Sequence, residues 1–198
     1  MSTGLKWAIA IVGVAGLATL TVTTQMPWLA RPQPSMEGAK SGSSGGHAGE
    51  AGPALSCPAD AKAANLNFAL KDVAGKDISL SSYKGHVILL DFWATWCGPC
   101  KVEIPHFIEF QDKYGTQGLQ IVGISVDDTF DKLEPYVREM KMNYPVLQGL
   151  GHDDVQDAYG PMFGIPVSVL ISRDGKICAI HTGLTGKDVF EREIRSLL

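Results

Sequence analysis

WATWCGPCK, residues 93–101, is the stretch that decides the fold of this chain. It follows an apolar run, VILLDF at 87–92, which predicts a buried β-strand, and it precedes apolar residues at helical spacing. Its two cysteines therefore lie where a strand gives way to a helix. Free N–H groups and the positive end of the helix dipole stabilise a thiolate at such a point. We predict that Cys97 is the exposed attacking thiol and that Cys100, one turn further along, resolves a mixed disulfide.

Two cysteines at this spacing also occur as half of a zinc site, which needs a second pair of ligands. The other cysteines, Cys57 and Cys178, are isolated in the sequence, and no two histidines have zinc-finger spacing. We therefore predict a redox dithiol with no metal and no cofactor. Cys57 and Cys178 could pair in an oxidising compartment, but we expect two unpaired thiols. We interpret four histidines as structural or exposed: His86, His106, His152 and His181.

The longer segment DFWATWCGPCKVEIP, residues 91–105, resembles the active-site segment of thioredoxin-fold proteins. It is most similar to that of the membrane-tethered TlpA/ResA-like thiol-disulfide oxidoreductases, and the resemblance covers about residues 64–198. It implies an α/β, thioredoxin-like fold: a central mixed sheet with flanking helices, an N-terminal β-hairpin and a central helix–strand insertion. It also implies a redox-active disulfide between Cys97 and Cys100.

The pattern along the chain fits that architecture. Alternating residues around a turn predict a β-hairpin over 65–80, and a helix followed by a short strand is predicted over 129–147. An Asp-Gly turn joins two predicted strands within 167–181. The sequence TGKD at 185–188 predicts a capping box for a last helix.

The chain ahead of this region divides into an apolar part and a flexible part. Residues 7–22 are almost all apolar and follow Lys6, so we predict a transmembrane signal-anchor over 1–30 with a cytoplasmic N-terminus. A cleaved signal peptide is the alternative. Residues 31–56 are rich in Gly, Ser and Pro and predict a flexible linker. Residues 57–198 are then a thioredoxin-like domain on the extracytoplasmic, periplasmic side of a single-pass membrane anchor.

Two carboxylates are candidates for accepting the proton that Cys100 must lose. Asp91 lies in a strand predicted to be buried, where a charge is costly without a role, and it matches the buried aspartate of thioredoxin. Glu103 follows Cys100 by three residues, on the same helix face, and it matches a Glu of TlpA/ResA-like members. Its alternative role is that of a first-turn acid favoured by the helix dipole. Gly123 stands where thioredoxin has a lysine partner for the aspartate.

Three further residues are predicted to bind substrate. Pro166 opens a predicted buried strand, where a proline is unusual unless its peptide bond is cis or it lies at the strand start. The alternative is an ordinary trans proline at the strand edge. The resemblance implies a cis bond before Pro166 and contact with the dithiol. We assign substrate binding to Ile165 and Pro166, and to Trp96 because it adjoins Cys97, whereas Trp93 is predicted to lie in the core.

The predicted function is reduction of disulfides in specific proteins. The resemblance implies apocytochrome c or copper-site cysteines as substrates, a role in cytochrome c maturation, and a membrane thiol–disulfide partner that recharges the enzyme. One alternative is a thiol peroxidase, although peroxiredoxins carry Thr where this chain has Ala94. The other is a non-catalytic copper-binding assembly factor with Cys97 and Cys100 as soft ligands. The net charge of −4 and the lack of a basic block exclude nucleic acid as a partner.

Overall fold

The structure is a computed structural model and describes residues 57–198. The predicted anchor at 1–30 and the predicted linker at 31–56 lie outside the described residues. Within 57–198, no helix combines the length and apolar character that crossing a membrane requires.

Strands and helices alternate along most of the described chain. The strands are β1 (Ala69–Lys71), β2 (Asp77–Ser79), β3 (Val87–Trp93), β4 (Leu119–Ser125), β5 (Val146–Gln148), β6 (Val167–Ile171) and β7 (Ile177–Thr182). The α-helices are α1 (Gly98–Tyr114), α2 (Phe130–Met140), α3 (Asp153–Asp157) and α4 (Lys187–Leu197). The predicted helix and strand of the insertion correspond to α2 and β5.

Five strands form one mixed sheet, in the order β5-β4-β3-β6-β7. The pairs β3–β4 and β4–β5 are parallel, whereas β3–β6 and β6–β7 are antiparallel. β1 and β2 form a separate antiparallel hairpin. The predicted α/β, thioredoxin-like architecture with its N-terminal hairpin is therefore confirmed.

β3 is the central strand of the sheet, and every one of its residues is buried. One face of the strand packs with residues of α1 and α4, and the other face packs with the hairpin and the region of α3. Each large apolar side chain removed from water in this way contributes about 1.5–3 kcal/mol. This two-sided packing fixes the end of β3, and with it the turn that carries the two cysteines.

The prediction of two unpaired thiols is wrong, because Cys57 and Cys178 form a disulfide. The segment that follows Cys57 runs beside β7: the N–H of Ile177 donates to the carbonyl of Lys62 at 2.9 Å. A second bond, from the N–H of Ala64 to a turn carbonyl before β7, fixes the same segment. This pairing brings together cysteines that are 121 residues apart in the sequence.

Candidate active site

The Cys97–Cys100 disulfide lies at the start of α1, and three residues separate Cys97 from the end of the central strand β3. Cys97 is the N-cap residue of the helix, and its sulfur accepts a hydrogen bond from the backbone N–H of Cys100 at 3.2 Å. Pro99 occupies the first turn, where a proline needs no hydrogen-bond partner. The donor and the helix dipole both stabilise negative charge on the Cys97 sulfur once the disulfide is reduced.

Cys97 is not exposed in this disulfide state, in contrast to the prediction. Its relative accessible surface is 2%, and its sulfur lies 3.8 Å from the carbonyl oxygen of Ile165. The physical reason is that the sulfur is turned towards Cys100 and is covered by the loop before β6. The exposed residue at this turn is Trp96, at 62%.

Of the three predicted substrate-binding residues, Ile165 contacts Cys97 through its carbonyl, Trp96 directly precedes Cys97, and Pro166 directly follows Ile165. The Ile165–Pro166 peptide bond is cis, as the resemblance implied. Ile165 and Trp96 line one groove, which also includes Phe163, whereas Pro166 is buried at the start of β6. Phe163 is 96% exposed and was missed by sequence reasoning. The sequence feature that could have indicated an exposed Phe163 is its place between Pro161 and Gly164, two residues that favour a loop.

Asp91 and Glu103 are both buried on the side of the sheet that α1 covers. One oxygen of Glu103 accepts a hydrogen bond from the backbone N–H of Thr185 at 2.8 Å. The other oxygen of Glu103 and Oδ1 of Asp91 are buried without a hydrogen-bond partner. The predicted capping box at Thr185 is absent: α4 has Gly186 as its N-cap, and the Thr185 hydroxyl donates to the carbonyl of Gly183 instead.

Burial raises the pKa of both carboxyls. The pKa of Asp91 lies well above its ordinary value because burial disfavours the charge and because Glu103 is close. Burial also raises the pKa of Glu103, although the hydrogen bond from Thr185 and the charge of His181 act in the opposite direction. Both groups are thereby suited to holding a proton near neutral pH.

Gly123 is the residue directly opposite Asp91 on β4. A Cβ at this position would lie 2.9 Å from Nε1 of Trp93 and 3.4 Å from Cε2 of Tyr144. The two aromatic side chains therefore fill the space that a lysine partner would need. The pKa of Tyr144 is raised well above its ordinary value, first by burial and then by the charge of Asp91, so a neutral phenol lies in the field of this aspartate.

A buried carboxylate holds the turn before Cys97, and sequence reasoning did not assign it this role. Asp128 accepts hydrogen bonds from the N–H and the hydroxyl of Thr95, and a further one from the hydroxyl of Ser125. The neighbouring Asp127 accepts a bond from the indole N–H of Trp96 at 3.1 Å. The available signal was the pair of aspartates at the carboxyl end of a predicted strand.

The arrangement has the parts that thiol–disulfide exchange needs. They are a sulfur at a helix start, a second sulfur within bonding reach, and buried proton acceptors. Within residues 57–198, no group of three or more Cys, His, Asp or Glu residues is placed to hold a metal ion.

Comparison with known proteins agrees with this chemistry. Residues 61–180 match the AhpC/TSA family. The chain is 32% identical over 131 residues to the thiol-disulfide oxidoreductase ResA of Bacillus thuringiensis subsp. konkukian, covering 66% of this chain and 75% of that protein. It is 30% identical over 131 residues to ResA of Geobacillus thermodenitrificans, covering 66% and 74%. The fold is similar to a thiol:disulfide interchange protein of Chlorobium tepidum TLS, with a TM-score of 0.64 and 29% identity over 71% of this chain and 99% of that chain.

Proposed function

The chain belongs to the AhpC/TSA family and is a ResA-like thiol-disulfide oxidoreductase, and we propose that it works as a reductase of protein disulfides. The observation that carries this proposal is the Cys97–Cys100 disulfide at the helix start, with Asp91 and Glu103 buried nearby. The Cys100 thiol must give up its proton before it can attack, and the two carboxylates, buried on the same side of the sheet as Cys100, are suited to accept it.

The reaction follows from these positions. The Cys97 thiolate attacks one sulfur of a substrate disulfide, a bond forms between them, and the second substrate sulfur leaves as a thiolate. Cys100 then gives its proton to the carboxyl pair and attacks the sulfur of Cys97. The Cys97–Cys100 bond forms while the first substrate sulfur leaves, so the substrate gains two electrons and the dithiol loses them.

The groove beside the disulfide supports a protein substrate. Trp96 and Phe163 present exposed aromatic side chains, and the Ile165 carbonyl faces the sulfur of Cys97. An extended segment of a partner protein that lies in this groove would bring its own disulfide to Cys97. We assign apocytochrome c or copper-site cysteines as substrates, and a membrane thiol–disulfide protein as the donor that reduces the enzyme again.

The site of action in this proposal is the extracytoplasmic face of a membrane. The support is the apolar stretch at 7–22 with Lys6 before it, followed by a Gly/Ser/Pro-rich segment. Cell fractionation, followed by protease treatment of intact spheroplasts, tests this assignment. The full-length chain should sediment with membranes and be digested from outside, and recovery in the soluble cytoplasmic fraction would contradict it.

The test of activity uses the reduced full-length chain with insulin as the disulfide substrate. Cys97→Ser should abolish reduction, and Cys100→Ser should accumulate a mixed disulfide that traps partner proteins for mass spectrometry. The double variant Cys57→Ser/Cys178→Ser is the control, because that disulfide lies apart from the groove, and it should retain activity. Reduction of insulin at the wild-type rate by Cys97→Ser would overturn the proposal.

A thiol peroxidase is the second candidate, because the helix–strand pair α2 and β5 corresponds to an insertion that peroxiredoxins also carry. Ala94 is buried and offers only a methyl group at the position where peroxiredoxins have a threonine hydroxyl. We therefore expect hydrogen peroxide to be consumed far more slowly than insulin is reduced. Rapid peroxide turnover that depends on Cys97 would reverse this order.

A further inference from the structure

A row of polar residues crosses the central sheet on the face that α1 covers. Asp91 on β3 pairs with Ser168 on β6, and Ser168 pairs with His181 on β7. Directly paired residues of neighbouring antiparallel strands point to the same face, with Cβ atoms about 4.5–5.5 Å apart. Beyond β7, Nε2 of His181 lies 2.7 Å from a carboxylate oxygen of Glu193 on α4. The row therefore leads from the centre of the sheet to its edge.

The inner part of the row is buried and lacks hydrogen bonds. Oδ1 of Asp91, Oγ of Ser168 and Oε2 of Glu103 are all buried without a partner. A buried polar atom left unpaired is costly, and Ser168 stands in an otherwise apolar strand, VSVLI. No hydrogen bond fixes the Ser168 hydroxyl, so it can rotate between its two neighbours in the row.

The outer part of the row reaches water. The side chains of His181 and Glu193 are 18% and 12% exposed. Because Nε2 of His181 faces Glu193, Nδ1 is the ring nitrogen left to take up a proton from the row. An imidazole can accept a proton at one nitrogen while it releases one from the other. The charged groups that face this histidine are Glu103 from α1, Glu193 from α4 and, through Ser168, Asp91 from β3. The charge of His181 lowers the pKa of Glu103, which places the imidazole within its electrostatic reach.

We propose that Ser168 and His181 form the route by which the buried Asp91–Glu103 pair returns to solvent the proton that it takes from Cys100. This inference rests on the proposed function, in which that pair accepts the Cys100 proton. The carboxyl proton passes to Oγ of Ser168 while the hydroxyl proton of Ser168 passes to His181. The proton on Nε2 of His181 then moves to Glu193 and to water, so one proton leaves and no electrons move.

A route for the proton is needed because neither its donor, Cys100, nor its acceptor, the carboxyl pair, lies at the surface. Cys100 and both carboxyls are buried. When a donor later reduces the Cys97–Cys100 disulfide, Cys100 leaves as a thiolate and must recover a proton. The carboxyl pair, Ser168, His181 and Glu193 serve that step in the reverse direction. In both halves of the catalytic cycle, the row therefore carries the proton between the carboxyl pair and solvent, after or before the sulfur chemistry itself.

The test follows colour and proton release together in one stopped-flow experiment. The reduced full-length chain is mixed with an aromatic disulfide of nitrothiobenzoate in weak buffer that contains a pH indicator. The first burst of coloured thiolate reports attack by Cys97, and the second burst reports resolution by Cys100. The indicator reports the arrival of the Cys100 proton in solvent. In the wild type the two signals should rise together, because the aromatic thiolate stays deprotonated and the Cys100 proton must reach solvent.

His181→Gln and Ser168→Ala should leave the second colour burst near its wild-type rate but delay proton release by at least about tenfold. Added imidazole should shorten the delay in His181→Gly. His152→Gln is the matched control, since His152 is an exposed histidine outside the row, and it should show no delay. Proton release that keeps pace with the second colour burst in both His181→Gln and Ser168→Ala would overturn the route. Equal slowing of the colour burst and of proton release would also overturn it, because that result would indicate a structural role for the two residues.

Glu103→Gln tests the underlying proposal separately. It should slow the second colour burst itself, whatever the row variants do. If the second colour burst of Glu103→Gln keeps its wild-type rate, Glu103 is not the proton acceptor. This outcome is read from the colour signal alone. A delay of proton release in the row variants is read from the indicator, so the two failures are distinguishable.

Discussion

The carboxylate of Asp128 accepts hydrogen bonds from both the backbone N–H and the hydroxyl of Thr95, at 2.7 and 2.6 Å. These bonds tie the end of β4 to the residue two positions before Cys97. We expect Asp128→Ala to lower the free energy of unfolding by about 3 kcal/mol, because the N–H of Thr95 loses a charged partner and stays part-buried. Guanidinium unfolding of the oxidised chain measures this loss.

Asp127→Ala is the matched control for that measurement. Asp127 is exposed and makes one side-chain bond, to the exposed indole of Trp96. Its removal should cost less than about 1 kcal/mol. Equal losses in the two variants would show that the buried bonds to Thr95 stabilise the fold no more than the exposed bond to Trp96 does.

The Cys57–Cys178 disulfide should stabilise the domain without taking part in catalysis. It closes a loop of 121 residues in sequence, and a disulfide that closes a loop of this length contributes up to about 4–5 kcal/mol. We expect Cys57→Ser/Cys178→Ser to lose about 2–5 kcal/mol in guanidinium unfolding and to keep its insulin reductase rate. A large loss of activity at a temperature where the variant is folded would contradict the structural role.

The sequence predicted those features that depend on neighbouring residues. The junction of strand and helix, the position of Cys97 at the helix start and the burial of Asp91 all follow from local apolar patterns around one motif. The capping box was predicted wrongly, since the N–H of Thr185 is used by Glu103 and its hydroxyl by a nearby carbonyl. A contact from α1 thus overrode a local signal.

Features that depend on pairing between distant segments could not be predicted. Thr95 and Asp128 are 33 residues apart, and Cys57 and Cys178 are 121 apart. The row that includes Ser168 exists only because β3, β6 and β7 pair in one register. A register shift of one residue would turn these side chains to the other face of the sheet, and no local pattern in the chain specifies that register. The sequence interpretation of His181 as structural or exposed therefore lacked the information that its neighbours supply.

Gly123 should tolerate no side chain. A methyl group there would lie 2.9 Å from Nε1 of Trp93, and both that ring and Tyr144 are packed in the core. We expect Gly123→Ala to lower the free energy of unfolding by about 1–3 kcal/mol through overpacking. Gly164→Ala is the control, since a Cβ at Gly164 meets nothing within 4 Å, and its stability should change by less than about 0.5 kcal/mol.

Asp91 should make the stability of the domain fall as the pH rises. Burial and the nearby Glu103 raise the pKa of Asp91, so the unfolded chain releases this proton at a lower pH than the folded chain does. From about pH 4 upwards, the folded state therefore binds more protons than the unfolded state, and stability is lost as the pH passes through the folded pKa.

Asp91→Asn removes this titration. We expect the variant to be more stable than the wild type at pH 8, by about 1 kcal/mol or more, and nearly equal to it below pH 4. Guanidinium unfolding of the oxidised chain at several pH values measures both limits. A variant that is less stable than the wild type at pH 8 would show that Asp91 is charged and paired in the folded state.

The two carboxyls should act together when Cys100 resolves a mixed disulfide. Both are buried, and the nearby Glu103 raises the pKa of Asp91, so we expect the titrations of the two groups to be coupled. Glu103→Gln or Asp91→Asn alone should slow resolution by up to about 10²–10⁴-fold, the usual contribution of a general base. The double variant should be slowed by less than the product of the two factors, because the two groups serve one proton transfer.

Single-turnover resolution measured across the four members of this cycle decides between two arrangements. If the factors multiply, Asp91 and Glu103 act independently, and one of them exerts its effect through packing and not through the proton. If all three variants resolve at the wild-type rate, water takes the Cys100 proton, and the burial of two carboxyls beside the dithiol has no catalytic purpose. A less than multiplicative loss, with a rate that falls as the pH drops below the shared titration, is the result that the buried position of both groups leads us to expect.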